Sequence, residues 1–195
     1  HAHIGNFRTF PFFDLVHRHL EFSGYAVHFV MNLTDVDDKV IKSAVESEMT
    51  VTEKTTPFAE IFSADSKTLG IRPVESYPRA TDYISRMVEF VERLVERGHA
   101  YAADDGAVYF SIASFPDYGK LRGIDTSTLL VGARVAHDEY DKDDARDFAL
   151  WKAATEEDER VEAAWDSPWG RGRPGWHLEC SVMSTTGLGD TLDFH

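Results

Sequence analysis

A short apolar run between two helical patterns sets the strongest limit on how this chain can fold. The run Tyr25–Met31, "YAVHFVM", has the length and the β-branched content of a largely buried strand. The apolar spacing before it predicts a helix that begins close to Gly5 and stops at Gly24, and the pattern after it predicts a second helix through Ser47. Helix, buried strand and helix in succession predict an α/β fold.

The rest of the chain alternates between helical and strand patterns. Apolar residues from Thr81 to Arg97 form a clean helical stripe that Gly98 ends. Asp105-Gly106 between two alternating runs predicts a hairpin. Thr34 or Asp35 is predicted to cap the second helix, and a linker over 50–57 is predicted to lead to a helix that ends near Gly70. The later part of the chain is predicted to contain an acidic loop over 121–142, a strand at "RDFALWKAA" and an exposed face at "TEEDER". A last helix is predicted from Trp176 at "WHLECSVMS", with no strand just before it.

Composition excludes several classes of protein. A single cysteine in 195 residues excludes an internal disulfide framework and predicts a reducing, cytoplasmic location. No apolar run reaches the roughly 18 residues that a membrane helix needs, so no membrane partner is expected. The net charge is −14, from 20 basic and 34 acidic residues. This argues against RNA binding by this chain through electrostatic attraction alone. Any RNA partner must be held mainly by other regions.

The chain opens on "HIGN", in which the residue types suit an anionic ligand. Glycine at position 5 lets a nucleotide approach the backbone, and His3 can donate to a phosphate. The helix that follows adds unpaired N–H groups and the positive end of its dipole. Surface histidines before a helix cap are the alternative, and four residues alone do not decide between the two.

Two further stretches combine residue types that carry chemistry. In "NLTDVDDKVI", Asp35, Asp37, Asp38 and Lys39 crowd a strand-to-helix turn, where ligands bind in open α/β sheets. The alternative is an acidic first helical turn that the helix dipole favours. In "SPWGRGRPGWHLECS", Cys180 is either an inert residue of a rigid loop or a metal ligand whose partners lie elsewhere, since its neighbours cannot close a tetrahedral site.

Taken together, five segments resemble the cysteinyl-tRNA synthetases. "AHIGNFRTF", "NLTDVDDKVI", "YPRATDYI", "DFALWK" and "SPWGRGRPGWHLECS" occur in the order and at about the spacing of that family, over essentially the whole chain. The resemblance implies a class I aminoacyl-tRNA synthetase with an incomplete Rossmann-like nucleotide-binding fold and an inserted connective α+β region. It implies catalytic-domain segments at 1–100 and 148–195, the second with a zinc-site cysteine, and the insertion at 101–147.

The resemblance also implies the reaction. Such an enzyme activates L-cysteine with Mg-ATP to cysteinyl-adenylate and then esterifies the 3′ end of its tRNA. His3, Gly5 and Asn6 match the family's ATP-binding signature, usually H-I-G-H. The resemblance implies that His3 and Asn6 are catalytic and stabilise the charge that develops on the α-phosphate. Asn6 departs from the usual histidine. It can still donate a hydrogen bond, but it carries no positive charge.

The same resemblance assigns a metal and an amino-acid pocket. Cys180 matches a zinc-binding cysteine, with one zinc per subunit in the full-length enzyme, and the zinc selects cysteine over serine because it prefers a sulfur ligand. Trp176, His177 and Thr34 match residues that line the pocket. Expected partners are therefore ATP, L-cysteine and tRNA, the last held mainly by regions outside this chain.

The departures from the family pattern carry expectations of their own. The family's upstream cysteine, its later zinc ligands and its K-M-S-K-S loop are absent from the sequence, so we expect an internal part of a longer synthetase that by itself binds zinc weakly and forms no adenylate. Two alternatives stay open. One is a cysteine ligase of the mycothiol type, which uses an amino-sugar in place of tRNA, and the other is a catalytically dead synthetase-like binding module.

Overall fold

The computed structural model describes residues 3–123 and 147–195. The described chain forms two compact units. Unit 1 contains His1–Tyr83, Arg160–Ala163 and Cys180–His195, and unit 2 contains Ile84–Glu159 and Ala164–Glu179. Residues 124–142 of the predicted acidic loop and residues 124–146 of the predicted connective region lie outside the described residues.

Unit 1 is built mainly from helices. The predicted first helix is confirmed, although a break at Arg8 divides it, and it ends before Gly24, whose φ of +92° suits glycine. The helices of this unit are α1 (Ile4–Phe7), α2 (Thr9–Phe22), α3 (Asp38–Glu46), α4 (Val51–Thr68) and the greater part of α7 (Trp176–Leu188).

The strand predicted at Tyr25–Met31 is wrong as a buried strand. The segment is extended but half-buried to exposed, and it forms no ladder. Its neighbourhood holds two isolated parallel bridges, Val30 with Ser76 and Leu33 with Arg79. A buried strand needs a partner on each edge, whereas the described residues supply one extended segment on one edge.

Two helix starts also differ from the prediction. The segment 50–57 is helical, not a linker, because Thr50 and Glu53 form a capping box in which each side chain accepts from the other's backbone N–H. Pro57 lies inside α4 and removes one helical hydrogen bond. The cap of α3 is Asp37, whose Oδ1 accepts from the N–H of Val40 at 2.6 Å, and not Thr34 or Asp35.

Unit 2 confirms most of its predicted elements. Helix α5 (Ile84–Glu96) follows a 3₁₀ turn, and Gly98 lies just beyond its end with φ +75°. The hairpin joins β1 (Ala100–Ala102) to β2 (Val108–Phe110), and the predicted third strand is β3 (Phe148–Ala153). With β4 (Gly172–Pro174) they make an antiparallel sheet in the order β1-β2-β3-β4.

Strand β4 is an element that the sequence analysis missed. It pairs with β3 through Trp151–Pro174 and Lys152–Arg173. A Cβ on Gly172 would lie 2.3 Å from the carbonyl oxygen of Lys152, so the strand approaches β3 more closely than a side chain at this position allows. The glycines that looked like loop residues are therefore what permits this pairing.

The "TEEDER" segment was predicted as an exposed face, and this is wrong for one residue. The segment forms α6 (Glu156–Arg160), in which Asp158 is only 1% exposed. Its Oδ1 accepts from Nε of Arg173 at 3.1 Å. The buried pair ties α6 to β4 within unit 2.

The described residues therefore combine helices with a sheet of four antiparallel strands. The predicted helix at "WHLECSVMS" is confirmed as α7. No helix in the described residues is both long enough and apolar enough to cross a membrane.

Candidate functional site

The turn His3–Asn6 is held by two reciprocal hydrogen bonds. Nδ1 of the His3 ring accepts from the backbone N–H of Gly5 at 3.1 Å, and the backbone N–H of His3 donates to Oδ1 of Asn6 at 3.1 Å. This is a capping box in which a histidine ring takes the usual place of a serine or threonine. His3 and Asn6 thus form a helix cap in the structure.

These two bonds leave donors available to a ligand. With Nδ1 acting as an acceptor, the proton of the neutral ring sits on Nε2. With Oδ1 of Asn6 accepting, its Nδ2 amide group is left to donate. Both side chains are exposed. The cap therefore leaves Nε2 of His3 and Nδ2 of Asn6 as donors on exposed side chains.

Glycine at position 5 is needed for this arrangement. A Cβ there would lie 2.9 Å from Cε1 and 3.0 Å from Nδ1 of His3. A larger residue would push the imidazole away from the N–H group that it caps.

Helix α1 is anchored by aromatic packing. Phe7 is buried and stacks on Phe62 of α4, with ring centroids 5.8 Å apart and planes at 14°. Phe10 packs edge-on against the same ring at 4.9 Å. These contacts place the His3–Asn6 turn beside α4.

Phe62 also lines a cleft of about 430 Å³ in unit 1, and Thr34 lies on another part of its lining. Thr34 Oγ1 accepts from the side-chain amide of Asn32 at 3.3 Å. Unit 1 thus brings Thr34 and the aromatic anchor of α1 to the same cleft. The full lining is Leu33, Thr34, Asp35, Asp37, Lys39, Val40, Ser43, Lys54, Thr55, Phe58, Ala59, Phe62 and Arg79.

Asp35 and Asp37 in "NLTDVDDKVI" accept hydrogen bonds from named groups of the protein. Asp35 is 5% exposed and accepts from both the backbone N–H and the hydroxyl of Thr81, at 3.1 and 2.7 Å. Asp37 caps α3. Asp37 is therefore the N-cap of α3, whereas Asp35 precedes that helix and is held by Thr81.

Trp176, His177 and Cys180 lie on one face of α7. Their spacing of three and four residues places them together on the helix surface. Trp176 and His177 are exposed and Cys180 is half-buried, while Leu178, Glu179, Val182 and Met183 are buried. The ring of His177 packs edge-on against Phe148 of β3 at 5.1 Å. All three candidates on α7 are thus on its less buried side.

The described residues contain no group of three or more His, Cys, Asp or Glu side chains that could hold a metal ion. Cys180 is thus one candidate ligand without a described set around it.

Sequence reasoning missed two of the three basic residues of the cleft. Lys39, Lys54 and Arg79 line it from three segments that are far apart in sequence. The sequence analysis noted Lys39 at the strand-to-helix turn, but Arg79 stood inside a quoted segment without an assigned role, and no local signal marked Lys54. Folding brings the three into one cleft, since Lys39 lies on α3, Lys54 on α4 and Arg79 in the segment after α4.

Comparison with known proteins places the chain in a family. The family model for the tRNA synthetases class I (C) catalytic domain matches residues 1–195. The chain belongs to this family of class I tRNA synthetase catalytic domains, which confirms the resemblance seen in the sequence.

Individual members of the family are similar to this chain along its whole length. The chain is 52% identical to the cysteine–tRNA ligase of Brachyspira hyodysenteriae (strain ATCC 49526 / WA1), 50% to that of Alkalilimnicola ehrlichii (strain ATCC BAA-1101 / DSM 17681 / MLHE-1) and 49% to that of Chlamydia pneumoniae. Each similarity covers 100% of this chain and 41% of the relative. The chain therefore spans less than half the length of these enzymes.

Proposed function

We propose that this chain is part of a cysteine–tRNA ligase, which activates L-cysteine with Mg-ATP and transfers it to the 3′ end of tRNA. The observation that carries the proposal is identity of about 50% to enzymes of that name along the whole chain. The donor turn at His3–Asn6 supports the ATP-dependent half of the reaction.

In the proposed activation step, a carboxylate oxygen of cysteine attacks the α-phosphorus of ATP and pyrophosphate leaves. His3 Nε2 and Asn6 Nδ2 donate hydrogen bonds to phosphate oxygens, and Gly5 lets the phosphates approach the backbone. Such a preorganised donor contributes typically about 3 to 4 kcal/mol because it stabilises charge that develops in the transition state. No covalent enzyme intermediate is required.

The amino acid is proposed to contact Thr34, Trp176 and His177. Thr34 offers a half-buried hydroxyl in the cleft of unit 1. Trp176 offers a largely exposed aromatic surface, 58% accessible, which suits a ligand contact better than a core position. Each residue thus has surface to offer a small substrate.

Zinc is proposed as the group that distinguishes cysteine from serine, with Cys180 as one ligand. The described residues do not make a zinc site by themselves, because no three potential ligands come together. Further ligands must come from elsewhere in the protein, and no reaction step is derived through the metal.

The finer architecture is proposed as Rossmann-like, with catalytic-domain segments at 1–100 and 148–195 and a connective insertion at 101–147. The two parallel bridges between the extended segments after α2 and after α4 support it, since parallel pairing across a helical connection is the unit of such folds. A reducing, cytoplasmic location follows from the proposed role in protein synthesis.

A chimera tests the function. The 195 residues replace the corresponding segment of the Brachyspira hyodysenteriae ligase, and cysteine-dependent pyrophosphate exchange and tRNA charging are measured. We expect both activities, with cysteine strongly preferred over serine. Exchange that does not depend on cysteine, or transfer to an amino-sugar and not to tRNA, would contradict the proposal.

His3 gives the sharpest variant in this chimera. His3→Ala should lower kcat for pyrophosphate exchange by about 10²- to 10³-fold, because it removes both a phosphate donor and the cap of α1. His19→Ala, at an exposed histidine of α2, is the matched control and should retain activity. Equal activity of the two variants would remove His3 from the proposed site.

A further inference from the structure

We infer that Phe148 is a positioning residue for His177, and that it holds the imidazole in the orientation in which this ring meets the amino acid. The inference rests on the proposed function, because the contact between His177 and cysteine is itself proposed. It adds a residue of β3 to that site. Phe148 and His177 both belong to unit 2.

The ring of His177 needs support from a neighbouring side chain. His177 is exposed, so burial does not fix its side-chain torsions, and exposed side chains change rotamer within nanoseconds. Phe148 lies against it with ring centroids 5.1 Å apart and ring planes at 70°. Aromatic pairs prefer this edge-to-face geometry. The contact therefore favours one orientation of the imidazole over the others.

Phe148 can give this support because its own ring is held in place. It lies opposite Phe110 of β2 in the sheet register, and the two rings stack at 5.2 Å with planes at 20°. The ring of Tyr118 lies 6.1 Å from that of Phe148. Strand pairing and two aromatic neighbours thus make Phe148 a rigid surface for His177.

The backbone just before Phe148 is fixed as well. Asp147 is only 4% exposed, and its two carboxylate oxygens accept from the N–H of Ile112 and from the hydroxyl of Tyr101, both at 2.9 Å. Moving the start of β3 would break these buried hydrogen bonds, which is costly. The position of Phe148 is therefore set by polar contacts in addition to aromatic packing.

Gly175 fixes the other side of the contact. Its N–H donates to the carbonyl oxygen of Leu150 at 2.8 Å, and its own carbonyl oxygen accepts from the N–H of Leu178 at 3.0 Å. A Cβ on Gly175 would overlap the carbonyl oxygen of Ala149 and lie 2.8 Å from the carbonyl carbon. The missing side chain thus lets the first turn of α7 lie directly on β3, which carries Phe148.

The first test is NMR spectroscopy of the 195-residue chain. Phe148→Leu keeps an apolar side chain at this half-buried position but removes the ring current that acts on His177. We expect the imidazole C–H resonances of His177, identified by their absence in His177→Ala, to shift. Phe148→Tyr keeps the ring and should leave them near their original positions.

A matched control comes from a second histidine–phenylalanine contact in the chain. The rings of His99 and Phe115 lie 6.3 Å apart with planes at 87°. Phe115→Leu should therefore move the resonances of His99 and leave those of His177 unchanged.

The second test is kinetic and uses the chimera. Phe148→Leu should raise KM for cysteine in pyrophosphate exchange by about two- to tenfold, the factor that corresponds to one aromatic pair. The values of kcat and of KM for ATP should stay close to those of the unchanged chimera, since the proposed contact of His177 is a binding contact to the amino acid. Phe148→Tyr should restore KM, and Phe115→Leu should not change it.

A double variant separates positioning from a general loss of stability. In the His177→Ala background, Phe148→Leu should raise KM for cysteine no further, because its effect passes through the ring that is already missing. The same rise with and without His177 would overturn the inference.

Two other results would overturn it: His177 resonances that do not move in Phe148→Leu, or an unchanged KM for cysteine in an active chimera. A chimera without any of these substitutions that activates no cysteine would contradict the proposed function instead. The NMR comparison would still decide whether Phe148 orients His177.

Discussion

The two ring nitrogens of His3 differ in what they can do. Nδ1 caps α1 through Gly5, and this bond leaves the Nε2 proton for a ligand. The sequence supported both a helix cap and a phosphate contact at this position. The structure shows that the cap is made, and that it is compatible with the proposed contact.

A second single residue, Asp158, stabilises unit 2. Asp158→Asn removes the charge that faces Arg173 and weakens the bonds from Thr155, whose N–H and hydroxyl both donate to Oδ2 at 2.9 Å. Because Asp158 is 1% exposed and its carboxylate accepts all three of these hydrogen bonds, we expect a loss of about 1 to 3 kcal/mol in unfolding free energy. Urea unfolding at pH 7 measures it.

Glu156→Gln is the control for that measurement, since Glu156 is exposed on the same helix. Its stability should stay within about 0.5 kcal/mol of the unchanged chain. If the two variants unfold at the same urea concentration, the buried pair contributes no stability.

At the scale of elements, the tight pairing of β3 and β4 makes a specific prediction. Gly172→Ala would place its Cβ 2.3 Å from Lys152 O and 2.3 Å from Nε1 of Trp151, so β4 must move away. Overpacking of this kind costs about 1 to 3 kcal/mol, and the thermal unfolding midpoint should fall accordingly.

Gly187→Ala in α7 is the matched glycine control. Its nearest contact would be Val30 Cγ2 at 3.3 Å, and alanine favours a helix by up to about 1 kcal/mol over glycine. We expect its midpoint to be unchanged or slightly raised. A drop as large as that of Gly172→Ala would show that close approach in the sheet is not the cause.

Helices were predictable where the signal was local. The α5 stripe and the glycine after it specify that helix within one segment. The start of α4 was predictable too, because Thr50 and Glu53 form a recognisable capping box, but Pro57 directed the interpretation toward a linker. Strand β4 was not predictable, since its formation depends on a partner about twenty residues earlier in the chain.

At the scale of the whole chain, acid should weaken two surface ion pairs. The Arg171 hydrogen bonds and charge hold the pKa of Glu159 below its ordinary value, and Arg72 does the same for the pKa of Glu21. A lowered carboxyl pKa in the folded chain contributes stability above the unfolded pKa. That contribution is therefore lost as the pH falls below the ordinary glutamate value.

The double variant Glu21→Gln/Glu159→Gln isolates this effect. Its urea midpoint should lie below that of the unchanged chain at pH 7, and the difference should shrink as the pH falls toward 3. Both carboxylates are exposed, so solvent screening keeps the effect small. A difference that stays constant across this range would show that the two pairs are not its source.

The candidate site was predictable only in part. Motif matching identified His3, Gly5, Asn6, Thr34, Trp176, His177 and Cys180 as candidates, and their roles remain proposals. It could not find the basic cleft, because Lys39, Lys54 and Arg79 are joined by folding and not by spacing. The net charge of the whole chain is negative, so it gives no sign that the lining of this cleft is positive.

The amide at position 6 has a consequence for acidic conditions. A histidine there would titrate near neutrality, so its charge would vary with small changes in acidity. Asn6 has no ionisable group and offers the same two amide protons throughout the biological range. In the proposed ATP site, a carboxamide in place of an imidazole thus gives up a cation but keeps the proposed contact of this residue independent of pH.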